Sequence, residues 1–140
     1  MDNKEKNISD IKNLLVIDDD QRIRDLLEEY LIKEGFVIST ADCAESARKK
    51  MKYVTYDLII LDVMMPGDDG LKFTTEIRLI SQTPIILLTA KSEIDSKIEG
   101  LETGADDYVT KPFSPKELVL RINSILKRSK ENKILNPVVS

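Results

Sequence analysis

The sequence predicts an α/β fold built on a parallel sheet. Two observations carry that reading. Five short apolar runs alternate with longer stretches of helical periodicity, which is the pattern of consecutive βαβ units. Most of the runs are also apolar without alternation, as strands covered by helices on both faces must be. The runs are LLVI at 14–17, FVIS at 36–39, LIIL at 58–61, PIILL at 84–88 and YV at 108–109. A chain of 140 residues, 41% hydrophobic and 33% charged, is enough for one core and lacks the signature of disorder.

Each helix has its own signal. After the first run, Ile23, Leu26, Leu27, Tyr30 and Leu31 recur at helical spacing, with Asp20 placed to cap the start and Gly35 placed to end the helix. Further helices are expected over 44–51, 71–80 and 93–103, the last stopping at Gly104. The final helix opens with Ser114 as N-cap, Pro115 at the first helical position and Glu117 completing a capping box, and Leu118, Ile122 and Ile125 then face the sheet. Residues 1–12 form a polar extension, 13–128 the folded domain, and 129–140 a linker whose SKENK stretch is solvated. The hydrophobic end ILNPVVS fits either a chain that continues into another domain or a loosely docked C-terminus.

Composition excludes several classes of function. A net charge of −4 and a pI near 5.0 argue against this segment holding DNA or RNA by itself. The single cysteine, Cys43, has no partner for an internal disulfide. The start MDNKEKNISD lacks the apolar stretch of a signal peptide, so the cytoplasm is the default location. LIIL and PIILL fall far short of the ~18 residues a membrane span needs. The sequence contains no histidine, so any phosphohistidine must come from a partner.

The chemistry lies in the polar residues at the strand ends. Asp18 and Asp19 follow the first strand, Asp62 the third and Lys111 the fifth, while Thr89 closes the fourth. In an open α/β sheet, ligands bind beyond the carboxyl ends of the strands, so all five can meet in one crevice. Carboxylates crowded together repel, and burial penalises them further unless a cation offsets their charge. Only oxygen ligands are on offer, which favours Mg2+, with Mn2+ able to substitute. With its charge offset, Asp62 can act as a nucleophile toward phosphorus, Lys111 can meet charge on the transferring oxygens, and the Thr89 hydroxyl can donate to one of them. Each part also has an ordinary reading: a DDD run makes loops and caps, and Lys-Pro-Phe makes turns. The joint placement at four strand ends is what favours chemistry.

At these residues, VIDDD, LDVMMPGDDGL, PIILLTA and GADDYVTKPFSPKEL, the chain resembles the receiver domains of two-component response regulators, from about Leu14 to Lys127. The resemblance implies a flavodoxin-like (βα)5 three-layer fold with a sheet of order 2-1-3-4-5. It also implies Asp62 as phosphoacceptor, Asp18 and Asp19 as the acidic metal pocket, and the main-chain carbonyl of Met64 as a further ligand to Mg2+. Thr89 and Tyr108 would form the switch pair, and the Lys111–Pro112 peptide would be cis. A sensor histidine kinase would donate the phosphoryl group, docking on Arg22, Ile23, Leu26, Pro112 and Phe113. The domain would be a signalling phosphoacceptor rather than an enzyme, able to phosphorylate itself from small donors and to lose the group to water, with Met64 and Lys91 flanking the approach. The stretch 97–121 looks most like the OmpR/PhoB subfamily, whose receivers pair through the fourth helix, fifth strand and fifth helix on phosphorylation. Lys97, Glu102, Asp106, Asp107, Glu117 and Arg121 supply both signs on that face, though Asn123 stands where a basic residue is common. The subfamily further implies transcription regulation through a DNA-binding domain outside these residues.

Other readings fit less well. An FMN binder would cradle phosphate with Ser, Thr and Gly after the first strand, and here that turn is acidic. A haloacid-dehalogenase-type phosphatase needs a second Asp two places after the nucleophile, where Met64 stands. A receiver-like interaction module that is never phosphorylated would have lost a member of the site, whereas all are present. A stand-alone phosphorelay protein remains the alternative to a transcription factor.

Overall fold

The computed structural model describes residues 10–90 and 102–135. In chain order the elements are β1 (Asn13–Ile17), α1 (Gln21–Lys33), β2 (Val37–Ala41), α2 (Ala44–Met51), β3 (Leu58–Asp62), β4 (Met64–Met65), β5 (Asp68–Asp69), α3 (Gly70–Arg78), β6 (Ile85–Ala90), β7 (Asp107–Lys111) and α4 (Pro115–Leu135). The expected helix over 93–103 lies outside the described residues except for its last two positions. Five strands form one sheet in the order β2-β1-β3-β6-β7, parallel at every pairing. Counting only the strands of that sheet, the order is 2-1-3-4-5, the flavodoxin-like arrangement. The remaining pair, β4 and β5, is a two-residue antiparallel hairpin.

The alternation of side chains along each strand builds two cores, one on each face. Leu14, Val16, Leu58, Ile60, Ile86 and Leu88 meet Leu27 and Leu31 of α1 and Leu118, Val119, Ile122 and Ile125 of α4. Leu15, Ile17, Ile59, Leu61, Ile85 and Leu87 meet Ala44 and Ala47 of α2 and Phe73 and Ile77 of α3. Each such leucine, isoleucine, valine or phenylalanine, taken fully out of water, contributes about 1.5 to 3 kcal/mol. This two-sided covering is why the strand sequences run apolar without a break.

Helix ends set the loops that carry the site. Asp20 caps α1, its carboxylate accepting from the Arg22 amide at 2.9 Å. At the other end, the Gly35 amide donates to the Ile32 carbonyl at 3.0 Å and the Phe36 amide to the Leu31 carbonyl at 3.2 Å. Gly35 takes φ +98°, and this is a Schellman ending. Because Phe36 closes that turn, β2 starts at Val37, one residue later than the FVIS run suggests, and reaches Ala41.

Other boundaries also differ from expectation. α3 ends at Arg78 rather than residue 80, where the guanidinium turns to bond the carbonyls of Ser81, Thr83 and Gly104. At the start of α4 the Glu117 amide reaches Ser114 Oγ at 3.4 Å, but the Glu117 carboxylate goes to Arg121 at 3.2 Å. The amide half of the expected box is therefore present, while the carboxylate is engaged elsewhere. α4 continues to Leu135, so the stretch expected to be a linker from residue 129 is helical over its first seven residues. Lysine and glutamate are good helix formers, and a charged run is solvated as well on a helix as in a coil. No helix among the described residues is long and apolar enough to cross a membrane.

Candidate metal and phosphoacceptor site

Parallel strands bring β1, β3, β6 and β7 to the same edge of the sheet, and the polar residues collect there. Asp18 directly follows β1 and is fully buried. Its amide donates to the Ala41 carbonyl at 3.1 Å, its Oδ1 accepts from the Asp20 amide at 2.9 Å, and its carbonyl accepts from Arg24 Nη1 at 2.8 Å. Asp62 is the last residue of β3 and 3% exposed, with Oδ1 accepting from the Met64 amide at 3.2 Å. Lys111 closes β7, and its Nζ lies 3.2 Å from Asp18 Oδ2 and 3.3 Å from Asp62 Oδ2. The Asp18 contact is an ion pair without hydrogen-bond alignment, for Oδ2 has no hydrogen-bond partner. The exposed Asp19 joins them, its carboxylate lying within 4.8 Å of both other acids.

Thr89 is the penultimate residue of β6, buried to 2%, and its hydroxyl has no hydrogen-bond partner. Tyr108, half-buried in β7 opposite Leu87, packs against the core on the α2 and α3 side. The Lys111–Pro112 peptide is cis.

Burial, reinforced by the Asp18 charge, pushes the Asp62 carboxyl up from 3.8 to about 6, against the opposing pull of Lys111 and the Met64 amide. Burial works against the Lys111 ammonium too. The charges of Asp62 and Asp18 outweigh it and hold Lys111 above the ordinary lysine value. All donors here are oxygens, one buried carboxylate oxygen lacks a hydrogen bond, and one buried acid is forced toward its neutral form. A hard cation would resolve all three, so the residues fit a metal ion.

The loop after Asp62 is folded tightly. A Cβ at Gly70 would lie 2.5 Å from the Asp62 carbonyl oxygen and 2.7 Å from Val63 Cα, so only glycine lets the start of α3 approach this closely. The Gly70 amide bonds the Val63 carbonyl at 2.9 Å. Asp69 caps α3, and Asp68 Oδ2 accepts from the Ala44 amide at 3.1 Å, serving α2, whose own cap residue Cys43 makes no side-chain bond. Met64 is 68% exposed, which leaves only its main chain for work inside the crevice.

Sequence reasoning overlooked the contributions of Gly70, Asp68 and Arg24. A glycine opening a helix was the available signal for the first. A helix arginine and a loop aspartate look like any solvated residue.

The residues expected on outer faces are placed as follows. Leu26 is 47% exposed, so it is no core residue, and Arg22 and Pro112 are exposed as well. Ile23 and Phe113 are half-buried against the α1 and α4 core. Glu102 is exposed and Lys97 lies outside the described residues. Asp106 pairs with Arg78 at 2.8 Å and accepts from the Ile85 amide at 2.8 Å. Arg121 pairs with Asp107 at 3.0 Å and with Glu117 at 3.2 Å. The ion pairs found on that face are therefore made within one chain.

Comparison with known proteins agrees with this geometry. The profile of the response regulator receiver domain matches residues 14–123. Protein PetR of Rhodobacter capsulatus is 54% identical over 119 residues, 85% of this chain and 50% of PetR. The transcriptional regulatory protein ResD of Bacillus subtilis is 46% identical over 123 residues, 88% of this chain and 51% of ResD. The chain thus spans about half the length of the curated relatives it matches. Among solved structures, the receiver domain of the Francisella response regulator 1452 superposes with a TM-score of 0.79 at 37% identity, covering 84% of this chain and 98% of that one. A five-stranded parallel sheet, acids and a lysine gathered at its carboxyl edge, and a profile match across most of the domain lead to one assignment: the chain belongs to the response regulator receiver domain family.

Proposed function

We propose that this domain accepts a phosphoryl group on Asp62 from a sensor histidine kinase and transmits that event through the face made by the helix expected over 93–103, β7 and α4. The observation that carries the reading is the half-buried ammonium of Lys111, 3.2 Å from Asp18 and 3.3 Å from Asp62. A phosphoryl group arriving at Asp62 meets a fixed positive charge without any rearrangement of the fold. Asp18, Asp19, Asp62 and the Met64 carbonyl would hold Mg2+, or Mn2+ in its place, which when bound neutralises charge on the acids and on the incoming phosphoryl oxygens.

The residues divide the remaining work. An Asp62 carboxylate oxygen forms the new bond to phosphorus as the bond from phosphorus to the donor nitrogen or oxygen breaks, and the leaving group carries that electron pair away. Lys111 takes up charge on the transferred oxygens. The unpartnered hydroxyl of Thr89 has a donor to spare for one of them, and its movement toward the phosphoryl group would draw Tyr108 inward. Arg22, Ile23, Leu26, Pro112 and Phe113 would receive the kinase. Lys97, Glu102, Asp106, Asp107, Glu117 and Arg121 would serve a symmetric dimer of the OmpR/PhoB type once Arg121 and Asp106 exchange partners across the two-fold axis. The word transcriptional in the name of ResD supports a cytoplasmic DNA-binding regulator as the full-length context, with DNA contacted by a separate domain.

The test is intact-mass measurement after incubation with acetyl phosphate and Mg2+. Wild type gains one phosphoryl group, and neither EDTA-treated protein nor the Asp62→Ala variant gains it. The same adduct on Asp62→Ala would refute the assignment.

A further inference from the structure

We infer that Arg24 is a positioning residue of this site: it grips the peptide unit joining Asp18 to Asp19 and thereby sets the direction of both acids. The inference rests on the reading of the crevice as a cation-dependent phosphoacceptor site. Four polar atoms of Asp18 are in play. Its amide is bound to Ala41, its Oδ1 to the Asp20 amide, and its carbonyl to Arg24 at 2.8 Å, which leaves Oδ2 to face Lys111. Two of those ties are local to the strand end and the turn. Arg24 supplies the third from the first turn of α1, reaching back over the helix start from a half-buried position.

The gripped carbonyl belongs to the peptide plane between Asp18 and Asp19, so rotation of that plane would swing the buried carboxylate and the exposed one together. A water could satisfy the freed carbonyl, but it could not tie the turn to the helix. Arg24 makes no contact with Asp62 among the hydrogen bonds and ion pairs found, and so acts through Asp18.

Charge alone predicts the opposite effect from positioning, which makes the inference decidable. A guanidinium held at the Asp18 carbonyl repels a cation arriving at the acids, so removing it would tighten cation binding if charge were its role. If positioning is its role, removing it weakens cation binding, as loss of an outer partner of a metal ligand does by about tenfold or more.

The experiment compares the wild-type chain with Arg24→Met and Arg24→Lys. Mg2+ affinity is measured by calorimetric titration of chelator-stripped protein, and the melting temperature is taken in EDTA. The expected result is an Mg2+ Kd about tenfold higher in Arg24→Met, an intermediate value in Arg24→Lys, and melting temperatures in EDTA close to wild type. A purely structural role would lower the melting temperature and leave the Kd alone, and that outcome overturns the inference. So does an Arg24→Met protein that binds Mg2+ as tightly as wild type or more tightly. If Arg24→Met does not fold, Arg24→Lys decides: a raised Kd upholds the inference and a wild-type Kd overturns it. A wild type that neither binds Mg2+ nor takes a phosphoryl group from acetyl phosphate would remove the site reading itself. A wild type that does both, beside an Arg24→Met that matches it, removes only the role of Arg24.

Discussion

Replacing Asp62 by asparagine should stabilise the metal-free protein at neutral pH. In the folded chain the Asp62 carboxyl is raised from 3.8 to about 6, chiefly by burial and then by the charge of Asp18. An acid with a raised folded value binds its proton more tightly folded than unfolded. Its contribution to stability is therefore fully present below pH 3.8 and is lost as the pH rises through about 6. The interval corresponds to roughly 3 kcal/mol at neutral pH. The side chain is only 5% exposed, so solvent screening removes little of this. The pull of Lys111 and of the Met64 amide is already inside that figure; what reduces the gain is the asparagine NH2 group, a buried donor facing the Lys111 ammonium, which costs about 1 to 2 kcal/mol without an acceptor. A net gain of about 1 to 2 kcal/mol remains, or roughly 3 to 8 °C in melting temperature for a domain of this size.

The assay is a thermal melt of both proteins in EDTA at pH 7.5 and pH 5, repeated at pH 7.5 with Mg2+. The variant should melt higher at pH 7.5 in EDTA, by a margin that shrinks at pH 5. Saturating Mg2+ should raise wild type more than the variant, because ligand that binds only the folded state adds about 2.7 kcal/mol at one hundred times Kd. An Asp62→Asn protein no more stable than wild type at pH 7.5 in EDTA, or a margin that widens as the pH falls, would refute the electrostatic reasoning.

Two further substitutions probe the framework of the site. Gly70→Ala puts a methyl group 2.5 Å from the Asp62 carbonyl oxygen, so urea unfolding should show a loss of about 2 to 3 kcal/mol, together with weaker Mg2+ binding as the 62–63 main chain shifts; unchanged values on both counts would mean the approach is looser than described. Arg78→Leu frees the carbonyls of Gly104 and Thr83 and the Asp106 carboxylate from a guanidinium that is 15% exposed, and should cost about 2 to 4 kcal/mol. Hydrogen exchange should quicken at the Asp106 amide, which bonds the Ile85 carbonyl, and exchange at the wild-type rate there would contradict Arg78 as the clamp on the start of β7.

What the sequence revealed and what it hid divide along physical lines. The sheet was legible because parallel strands covered on both faces have no room for alternation, and Leu58, Ile59, Ile60 and Leu61 are all fully buried. The ends of elements were less legible, since they depend on single bonds. Phe36 fits a strand by composition, yet its amide closes the turn after α1. Arg78, Arg24 and Asp68 each bond main-chain groups from other segments, and such contacts leave no period in a sequence. The proposed dimer face is a mixed case. Glu117 and Arg121 lie one helical turn apart and could be paired on paper, but the contact of Arg121 with Asp107 depends on β7 lying beside α4.

The site itself was legible for a different reason: it puts acids and a hydroxyl at strand ends whose neighbouring positions are apolar. The buried polar and charged residues found are Asp18, Asp62, Thr74 and Thr89. Thr74 is satisfied locally, its hydroxyl donating to the Gly70 carbonyl one turn back on its own helix at 2.9 Å. The other three lie at or next to the carboxyl ends of three neighbouring strands, β1, β3 and β6, and two of them carry a polar atom without a hydrogen-bond partner. A fold selected only for stability would replace such residues with apolar ones of similar size, because burying an unpaired acid or hydroxyl costs about 1 to 3 kcal/mol each. The cost falls on the residues that would hold a cation and receive a phosphoryl group, and occupancy of the site would recover it. The same electrostatic strain that makes metal-free Asp62 a liability would therefore couple ligand binding to the stability of the strand ends around it.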